Sequence, residues 1–304
     1  MKIYLASLQS QSCYINEEEM ELYIAGLNAE KKRALDMDIY LAQLCNQSQY
    51  IKEDKLKLYL AGQNGCSNVP KDLSKDNNLF HIYMLESFFY IKDWQIDLIK
   101  RKVLKGFILD SGAFTFMQNK DKAVDWDEYT ENYANFIKKY NIELFIEMDI
   151  DSIVGLKEVE RLRTKLEDIT NKKCIPVWHK SRGKEYFLQM VKDYDYIALG
   201  WGNNIRLRKK HEKYINWFIK QAHKNNCKIH GLGFTPSNLK EYRFDSVDSK
   251  SWITGNLGKF IFKFNNGKMR KINLISDKKF SPKKVAQHNF SEWIKFQKYA
   301  EKYL

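Results

Sequence analysis

The sequence predicts an α/β fold in which eight parallel strands close into a (β/α)8 barrel, also called a TIM barrel. From about residue 79 onwards, strand-like and helix-like runs alternate, with strands about every 20 to 35 residues, as is typical of parallel α/β architecture. Almost every predicted strand is followed by a polar or glycine-containing cluster. Barrel enzymes build their sites from the ends of all the strands, whereas open doubly wound sheets build theirs at one switch point. These clusters therefore favour the barrel over the open sheet.

The individual elements follow from apolar runs and from helical periodicity. Six strands are predicted at residues 106–110, 143–149, 174–178, 195–199, 228–232 and 243–248. Helices are predicted between them at residues 127–140, 155–168, 183–193 and 209–225. A C-terminal extension from about residue 259 begins with a hairpin and ends in an amphipathic helix near residues 289–303.

The N-terminal segment contains an internal duplication. Residues 2–26 and 38–62 are identical at 14 of 25 aligned positions. Each copy is predicted to begin with a short strand and to continue into a helix that ends in Ala-Gly. Two copies are too few for a solenoid, so we expect a local duplication in which one copy supplies a strand of the barrel.

Composition indicates a globular protein with a polyanionic partner. The chain has 304 residues, enough for one large barrel domain, and we assign residues 1–304 to it. The formal net charge of +13 favours nucleic acid before a membrane surface, although a lysine-rich codon bias produces the same excess. No apolar run approaches the length that spans a bilayer, and no signal peptide is evident, so we expect a cytoplasmic protein. The five scattered cysteines argue against a zinc site and against disulfides.

Carboxylates lie at the ends of three predicted strands, in FILDSGAF, LFIEMDID and RFDSVD, at Asp110, Asp149, Asp151, Asp245 and Asp248. The carboxyl ends of barrel strands surround one pocket, so these side chains indicate an active site. Two carboxylates on opposite sides of a sugar–base bond can act as nucleophile and as general acid/base. Structural alternatives exist: Asp110 as a turn residue, Asp151 as a helix cap and Asp245 as a loop-ordering or salt-bridging residue.

These strand ends resemble a known family. FILDSGAF resembles the DSGGF element of the tRNA-guanine transglycosylases, (β/α)8 barrels that exchange guanine for a 7-deazaguanine, and DSVDS resembles their D-x-x-D-C/S element. MDID, ALGWG and HGLGF stand between them in the family's order, over roughly residues 106–252. DSGAF, WHKSRG and SVDSKSW most resemble the phage-associated branch that places 7-deazaguanines in DNA. The zinc motif of the tRNA enzymes has no counterpart in this sequence.

The residues themselves predict no cofactor and no metal, although Asp and His side chains at barrel strand ends could bind a divalent ion. The resemblance implies base exchange in DNA, with tRNA the less expected polymer and a free 7-deazaguanine base as co-substrate. It implies Asp248 as nucleophile and Asp110 as general acid/base. Asp149, or else Asp151, would hydrogen-bond the base, and Gly200 and Gly202 would let the base approach the backbone. The other residues expected to bind the base are Ser111, Gly112, His179 and Trp201.

Cationic and aromatic residues are candidates for contacts with the polymer. The candidates for phosphate contacts are Arg182 in HKSRG and Arg206, Arg208, Lys209 and Lys210 in RLRKK. Trp178, Trp201 and Trp252 follow strands and could stack on a flipped base, or could simply close the barrel. His230 lies inside a predicted strand, where a core histidine is the commoner interpretation.

Other functions use the same residues. A DNA glycosylase would employ the same aspartate and let water replace the incoming base. A non-catalytic nucleic-acid-binding barrel would explain the charge but gains nothing from acids buried near phosphates. A hydrolase of small glycosides would leave the charge unexplained.

Overall fold

The computed structural model describes residues 55–62, 82–113, 115, 124–200, 214–255, 260–274 and 281–304, and the backbone alone of 2–5, 13–16, 21–24, 38–41 and 256–258. The chain separates into two compact units, Met1–Asp54 and Lys55–Leu304.

The first unit contains two pairs of short strands. In one pair β1 (Lys2–Leu5) runs parallel to β4 (Asp38–Leu41), and in the other β2 (Cys13–Asn16) runs antiparallel to β3 (Glu21–Ile24). The predicted helix before each Ala-Gly is wrong, because β3 and its counterpart in the second copy, β5 (Lys57–Ala61), are both strands. The alternating pattern Leu-Tyr-Ile/Leu-Ala fits a half-buried strand as well as it fits a helix.

The second unit is the predicted barrel. Its strands are β5, β6 (Tyr83–Ser87), β7 (Gly106–Asp110), β8 (Leu144–Phe145), β9 (Val177–Trp178), β10 (Tyr196–Leu199), β11 (Lys228–Gly231) and β12 (Ser246–Ser249). All neighbours pair in parallel in the order β8-β7-β6-β5-β12-β11-β10-β9. A parallel bridge between Ile146 and Ile175 joins the two ends of this order, so the ring closes. The second copy of the duplication supplies the first barrel strand, β5.

Helices surround the strands at α1 (Asp93–Lys100), α2 (Trp126–Tyr140), α3 (Asp151–Val154), α4 (Leu156–Thr170), α5 (Gly183–Asp193), α6 (Ile215–Lys224), α7 (Ser251–Gly258) and α8 (Pro282–Tyr303). The predicted boundaries of α2, α4 and α5 are confirmed to within two residues. Their ends follow local chemistry: Asp125 accepts a hydrogen bond from the Glu128 amide at the start of α2, and Asn141 ends that helix in the left-handed conformation. None of these helices, as far as they are described, has the length and apolar character needed to cross a membrane.

Side chains that alternate along the strands fill the barrel. The inward set is Tyr59, Ala61, Tyr83, Leu85, Ile108, Ile146, Ile175, Val177 and Ala198. The other face of each strand packs against the helices, as Leu58, Leu60, Ile197 and Ile229 do. This alternation places Ser87, Asp110, His179 and Asp248 on the inward parity near the carboxyl ends of their strands.

The C-terminal hairpin and helix are confirmed. Strands β13 (Phe260–Asn265) and β14 (Lys268–Asn273) pair antiparallel and pack on α8, where the Phe264 and Phe296 rings stack with centroids 5.5 Å apart. Helix α8 begins earlier than predicted, because proline is well accommodated in a first helical turn. Gln297 anchors it to the barrel by donating to the Leu58 and Tyr83 carbonyls at 2.6 and 2.9 Å.

Candidate active site

At the carboxyl ends of the strands, the predicted acids Asp110, Asp149 and Asp248 lie close enough to interact electrostatically. Burial is the main cause that raises the pKa of Asp110 from 3.8 to about 6. Lys250 and the Gly112 amide oppose this shift, and the negative charges of Asp149 and Asp248 reinforce it. Asp110 is therefore an acid that keeps its proton to about pH 6, beside two further carboxylates.

Asp248 contacts the neighbouring strand β11 and the backbone that follows it. Its Oδ1 accepts from the Gly233 amide at 2.6 Å and lies 3.3 Å from His230 Nε2. Only 7 % of the side chain is exposed. These contacts hold the Asp248 carboxyl group in a fixed position at the carboxyl end of the barrel, as a nucleophile requires.

A hydrogen-bonded chain continues beneath Asp248 inside the barrel. His230 Nδ1 contacts Ser246 Oγ, and Ser246 Oγ also contacts the Tyr196 hydroxyl. His230 is 1 % exposed, and its ring meets Tyr59 edge-on at 6.0 Å. It is a core histidine, as the sequence favoured, but one that also contacts the candidate nucleophile.

Asp149 forms a pair with His179. Asp149 Oδ1 lies 2.6 Å from His179 Nε2. Burial lowers the pKa of His179, but the hydrogen bond to Asp149 and the charges of Asp149 and Asp151 outweigh it, so this pKa lies above its ordinary value. The His179 ring lies so close to Gly200 that a β-carbon at position 200 would clash with it.

The predicted contact of Arg182 with the nucleic-acid backbone is wrong. Its side chain is 1 % exposed and binds inside the protein, with Nη1 2.7 Å from Glu147 Oε1 and Nε 3.2 Å from Asp151 Oδ2. Arg163 supplies a second cation, 3.2 Å from Glu147 Oε2. Sequence reasoning missed Glu147, which contacts both arginines and is fully buried. Asp151 begins the short helix α3 and its side chain binds Arg182, so it does not cap the helix α4 that follows Gly155.

Three side chains that could bind a divalent cation meet at Asp149, Asp151 and His179, whose candidate ligand atoms lie within 4.8 Å of one another. Within the described residues, however, the Arg182 guanidinium already compensates Asp151 and lies 3.9 Å from Asp149. A cation beside this guanidinium would meet like charge, so the network fits an internal ion cluster better than a metal site.

The Asp-Ser-Gly turn shapes the surroundings of Asp110. Gly112 has a φ of +75° and donates its amide to Asp110 Oδ2 at 3.2 Å. The Ser111 side chain is buried, and its carbonyl accepts from the Tyr129 hydroxyl at 2.7 Å. Ser87 lies opposite Asp110 in the strand register, and its Oγ is buried without a hydrogen-bond partner among the described residues.

Trp178 and Trp252 are not placed to stack on a flipped base, because both are buried. Trp178 packs against Phe187 and Phe218 between strand and helix, and its indole donates to the Gly183 carbonyl. Trp252 is fully buried and donates to the Ala61 carbonyl. Trp178 has the strand parity that packs against the helices, and Trp252 lies in helix α7 and not at the end of a strand.

Asp245 has the structural role proposed for it. It accepts from the Ile229 amide at 2.7 Å and lies 3.0 Å from His223 Nε2, at the amino end of β12. It cannot replace Asp248, which is at the other end of the strand. Six predicted site residues lie outside the described part of the chain: Trp201, Gly202, Arg206, Arg208, Lys209 and Lys210.

Sequence reasoning missed two features at the carboxyl end of the barrel. Lys250 directly follows β12, is exposed and acts electrostatically on Asp110; its place in DSKSW, next to the nucleophile motif, was the available signal. Phe89 and Tyr90 follow β6 and are each 46 % exposed, with ring centroids 4.9 Å apart. Because strand β6 was not predicted, these aromatic residues were not recognised as lying at a strand end.

Fold and site together define a (β/α)8 barrel with a cluster of buried and half-buried carboxylates at its carboxyl end. No protein-family profile matches the sequence, and a comparison with curated proteins finds no match.

Among solved structures, the chain is similar to the carboxyl transferase domain from Rhizobium etli pyruvate carboxylase with pyruvate, at 14 % identity and a TM-score of 0.43, over 83 % of this chain and 49 % of that one. It is also similar to QR15, an aldolase, at 10 % identity and a TM-score of 0.40, over 64 % of this chain and 89 % of that one. The chain thus spans about half of the carboxyl transferase structure. At these values no reaction follows from either likeness.

Proposed function

We propose that the protein is a base-exchange enzyme that replaces guanine in DNA by a 7-deazaguanine, with Asp248 as nucleophile. The observation that carries the proposal is the contrast between two neighbouring acids. Burial raises the pKa of Asp110 to about 6, whereas Asp248 is held through Oδ1 by the Gly233 amide at 2.6 Å and lies 3.3 Å from His230 Nε2. Carboxyl groups with contrasting environments mark an acid and a nucleophile in glycosidic chemistry.

The chemistry proceeds in two displacements. An Asp248 oxygen bonds to C1′ of the nucleotide as the bond from C1′ to the base nitrogen breaks, and the electron pair leaves with the base. Asp110 gives its proton to that departing base. The ionised Asp110 then takes the corresponding proton from the incoming base, whose nitrogen bonds to C1′ and displaces Asp248. Enzyme and proton balance are restored after each cycle.

Base recognition is assigned to the Asp149–His179 pair and to the aromatic residues beside Asp110. A carboxylate fixed by an imidazole can accept hydrogen bonds from the N–H edge of a guanine-like base. The exposed Phe89 and Tyr90 offer a surface on which a base taken out of its stack could lie.

A polyanionic partner is supported by the outer face of the C-terminal hairpin. The register pairs Lys263 with Arg270 and Asn265 with Lys268 on one face, while Phe262 and Phe264 cover the other and pack on α8. No described carboxylate forms an ion pair with these three cations. Like charges directly opposite one another are unfavourable in a hairpin, and phosphates would relieve this.

The test is incubation of the purified protein with duplex DNA, single-stranded DNA and tRNA in the presence of radiolabelled guanine. We expect incorporation into DNA, its loss in Asp248→Asn, and retention in Asp97→Asn, which changes an exposed aspartate on α1. Abasic sites without incorporation would indicate the glycosylase alternative. Binding without either reaction, unchanged in Asp248→Asn, would contradict an enzymatic role.

A further inference from the structure

Asp248 is bound asymmetrically by the protein. Both described donors, the Gly233 amide at 2.6 Å and His230 Nε2 at 3.3 Å, reach the same oxygen, Oδ1. The amide belongs to the backbone after β11 and the imidazole to the strand itself, so they approach from a single neighbouring element. A carboxylate held through one oxygen has its other oxygen in a defined direction.

The hydrogen bonds below His230 set which ring nitrogen carries the proton. Nδ1 faces Ser246 Oγ, which in turn faces the Tyr196 hydroxyl. A consistent chain runs from the Tyr196 O–H to Ser246 Oγ and from the Ser246 O–H to Nδ1, which leaves the proton on Nε2. The opposite arrangement would turn an Nε2 lone pair towards a carboxylate, which is repulsive at this burial.

The chain is built from the barrel interior itself. Ser246 and His230 are paired by the β11–β12 register, and both are buried, at 0 % and 1 % exposure. The Tyr59 ring meets the imidazole edge-on. Because these residues fill the closed lumen, the imidazole has little freedom to turn away from Asp248.

We propose that His230 is a positioning residue that, with the Gly233 amide, fixes Oδ1 of Asp248 and so makes Oδ2 the oxygen that attacks the sugar carbon. This inference rests on the proposed function, and it adds a role for the buried chain beneath the nucleophile. His230 itself does not touch the substrate. Ser246 and Tyr196 act one step further away, through the protonation of Nδ1.

Two substitutions separate the two halves of the imidazole. In His230→Gln the side-chain amide reaches the position of Nε2 and keeps a donor for Asp248. In His230→Asn it reaches only the position of Nδ1, so the contact with Ser246 remains and the contact with Asp248 is lost. His223→Asn is the matched control, because His223 lies at the opposite end of the barrel, beside Asp245.

Single-turnover base release from DNA measures the effect. We expect His230→Asn to slow release roughly 10- to 100-fold, the range for one hydrogen bond to a charged group, with DNA affinity unchanged. His230→Gln should recover most of this loss, and His223→Asn should behave like the wild type. Equal losses in both His230 variants, or a loss confined to DNA affinity, would overturn the positioning role.

Nitrogen NMR of ¹⁵N-histidine-labelled protein tests the geometry without any reaction. We expect the His230 signals to show a proton on Nε2 and an accepting Nδ1, and Asp248→Asn to shift the Nε2 resonance. A proton on Nδ1 with a bare Nε2 would overturn the proposal. A wild-type protein that neither exchanges nor releases a base refutes the proposed function, whereas an active wild type with equally impaired His230 variants refutes only this inference.

Discussion

The imidazole of His179 fills the space that a side chain at Gly200 would need. A β-carbon at Gly200 would lie 2.1 Å from His179 Cε1 and 2.5 Å from its Nδ1, far inside van der Waals contact. The ring is also held by Asp149 at 2.6 Å, so it cannot swing aside without losing that hydrogen bond. The glycine therefore sets the position of the Asp149–His179 pair.

Gly200→Ala is expected to destabilise the protein by about 1–3 kcal/mol, the usual cost of overpacking, and to weaken binding of the base. In a His179→Ala background the same substitution should cost less, because the two closest contacts are gone and only Val177 Cγ1, at 2.9 Å, remains. Urea denaturation of the four proteins measures this coupling. Equal costs in both backgrounds would show that another contact requires the glycine.

The raised pKa of Asp110 predicts a pH-dependent rate. The acid must be protonated to assist departure of the base, so single-turnover release should fall about tenfold per pH unit above about pH 6. Asp110→Asn should release the base about 10²- to 10⁴-fold more slowly, and its rate should not fall above pH 6. Rates measured between pH 5 and 8 decide the matter, and a flat wild-type profile would remove Asp110 from the acid role.

The same group predicts how stability changes with pH. Between pH 3.8 and about 6 the native state keeps a proton on Asp110 that the unfolded chain has lost. Its contribution to the free energy of unfolding therefore falls as the pH rises through that window. We expect Asp110→Asn to be more stable than the wild type above pH 6, with a smaller difference near pH 4. Thermal unfolding at both pH values measures this; a constant difference would contradict it.

The alternation of strands and helices was sufficient to predict the barrel. Each barrel strand that is buried on both faces carries a short apolar run that ends in a polar cluster, and all six predicted strands exist. Strand β6 escaped prediction because its residues, YMLES, are not β-branched and lie beside an aromatic turn. Strand β5 was mistaken for a helix because its apolar spacing fits both periods over five residues.

The site was predictable only where function follows from a strand end. Asp110, Asp149 and Asp248 could be placed because strand ends converge in a barrel. The burial of Arg182 could not, since it depends on Glu147 and Arg163, which lie on other elements. Sequence position does not reveal whether a cation faces solvent or an internal acid.

Arg182 provides a test of that internal role. Arg182→Met should destabilise the protein by about 3–5 kcal/mol, because Glu147 loses one of its two buried partners. Arg161→Met is the control: Arg161 is 48 % exposed, and breaking its surface pairs should cost less than about 1 kcal/mol. Chemical denaturation compares the two. If Arg182→Met is as mild as the control and instead weakens DNA binding, Arg182 contacts phosphate after all.

The hairpin cations can be tested by the salt dependence of DNA binding. Each phosphate contact contributes a slope of about −0.9 to a plot of log K against log salt concentration. Replacing Lys263, Lys268 and Arg270 together by Gln should therefore make the slope shallower by about 2.7 if all three contact phosphates.

The control replaces three exposed lysines on helices α4, α5 and α6, namely Lys157, Lys192 and Lys220, and changes the net charge equally. Long-range attraction depends on total charge and would weaken to a similar extent in both triple variants. Only direct phosphate contacts at the hairpin would give the larger loss of slope there. Equal slopes in the two variants would move the DNA interface to another part of the surface while leaving the chemistry at Asp248 untouched.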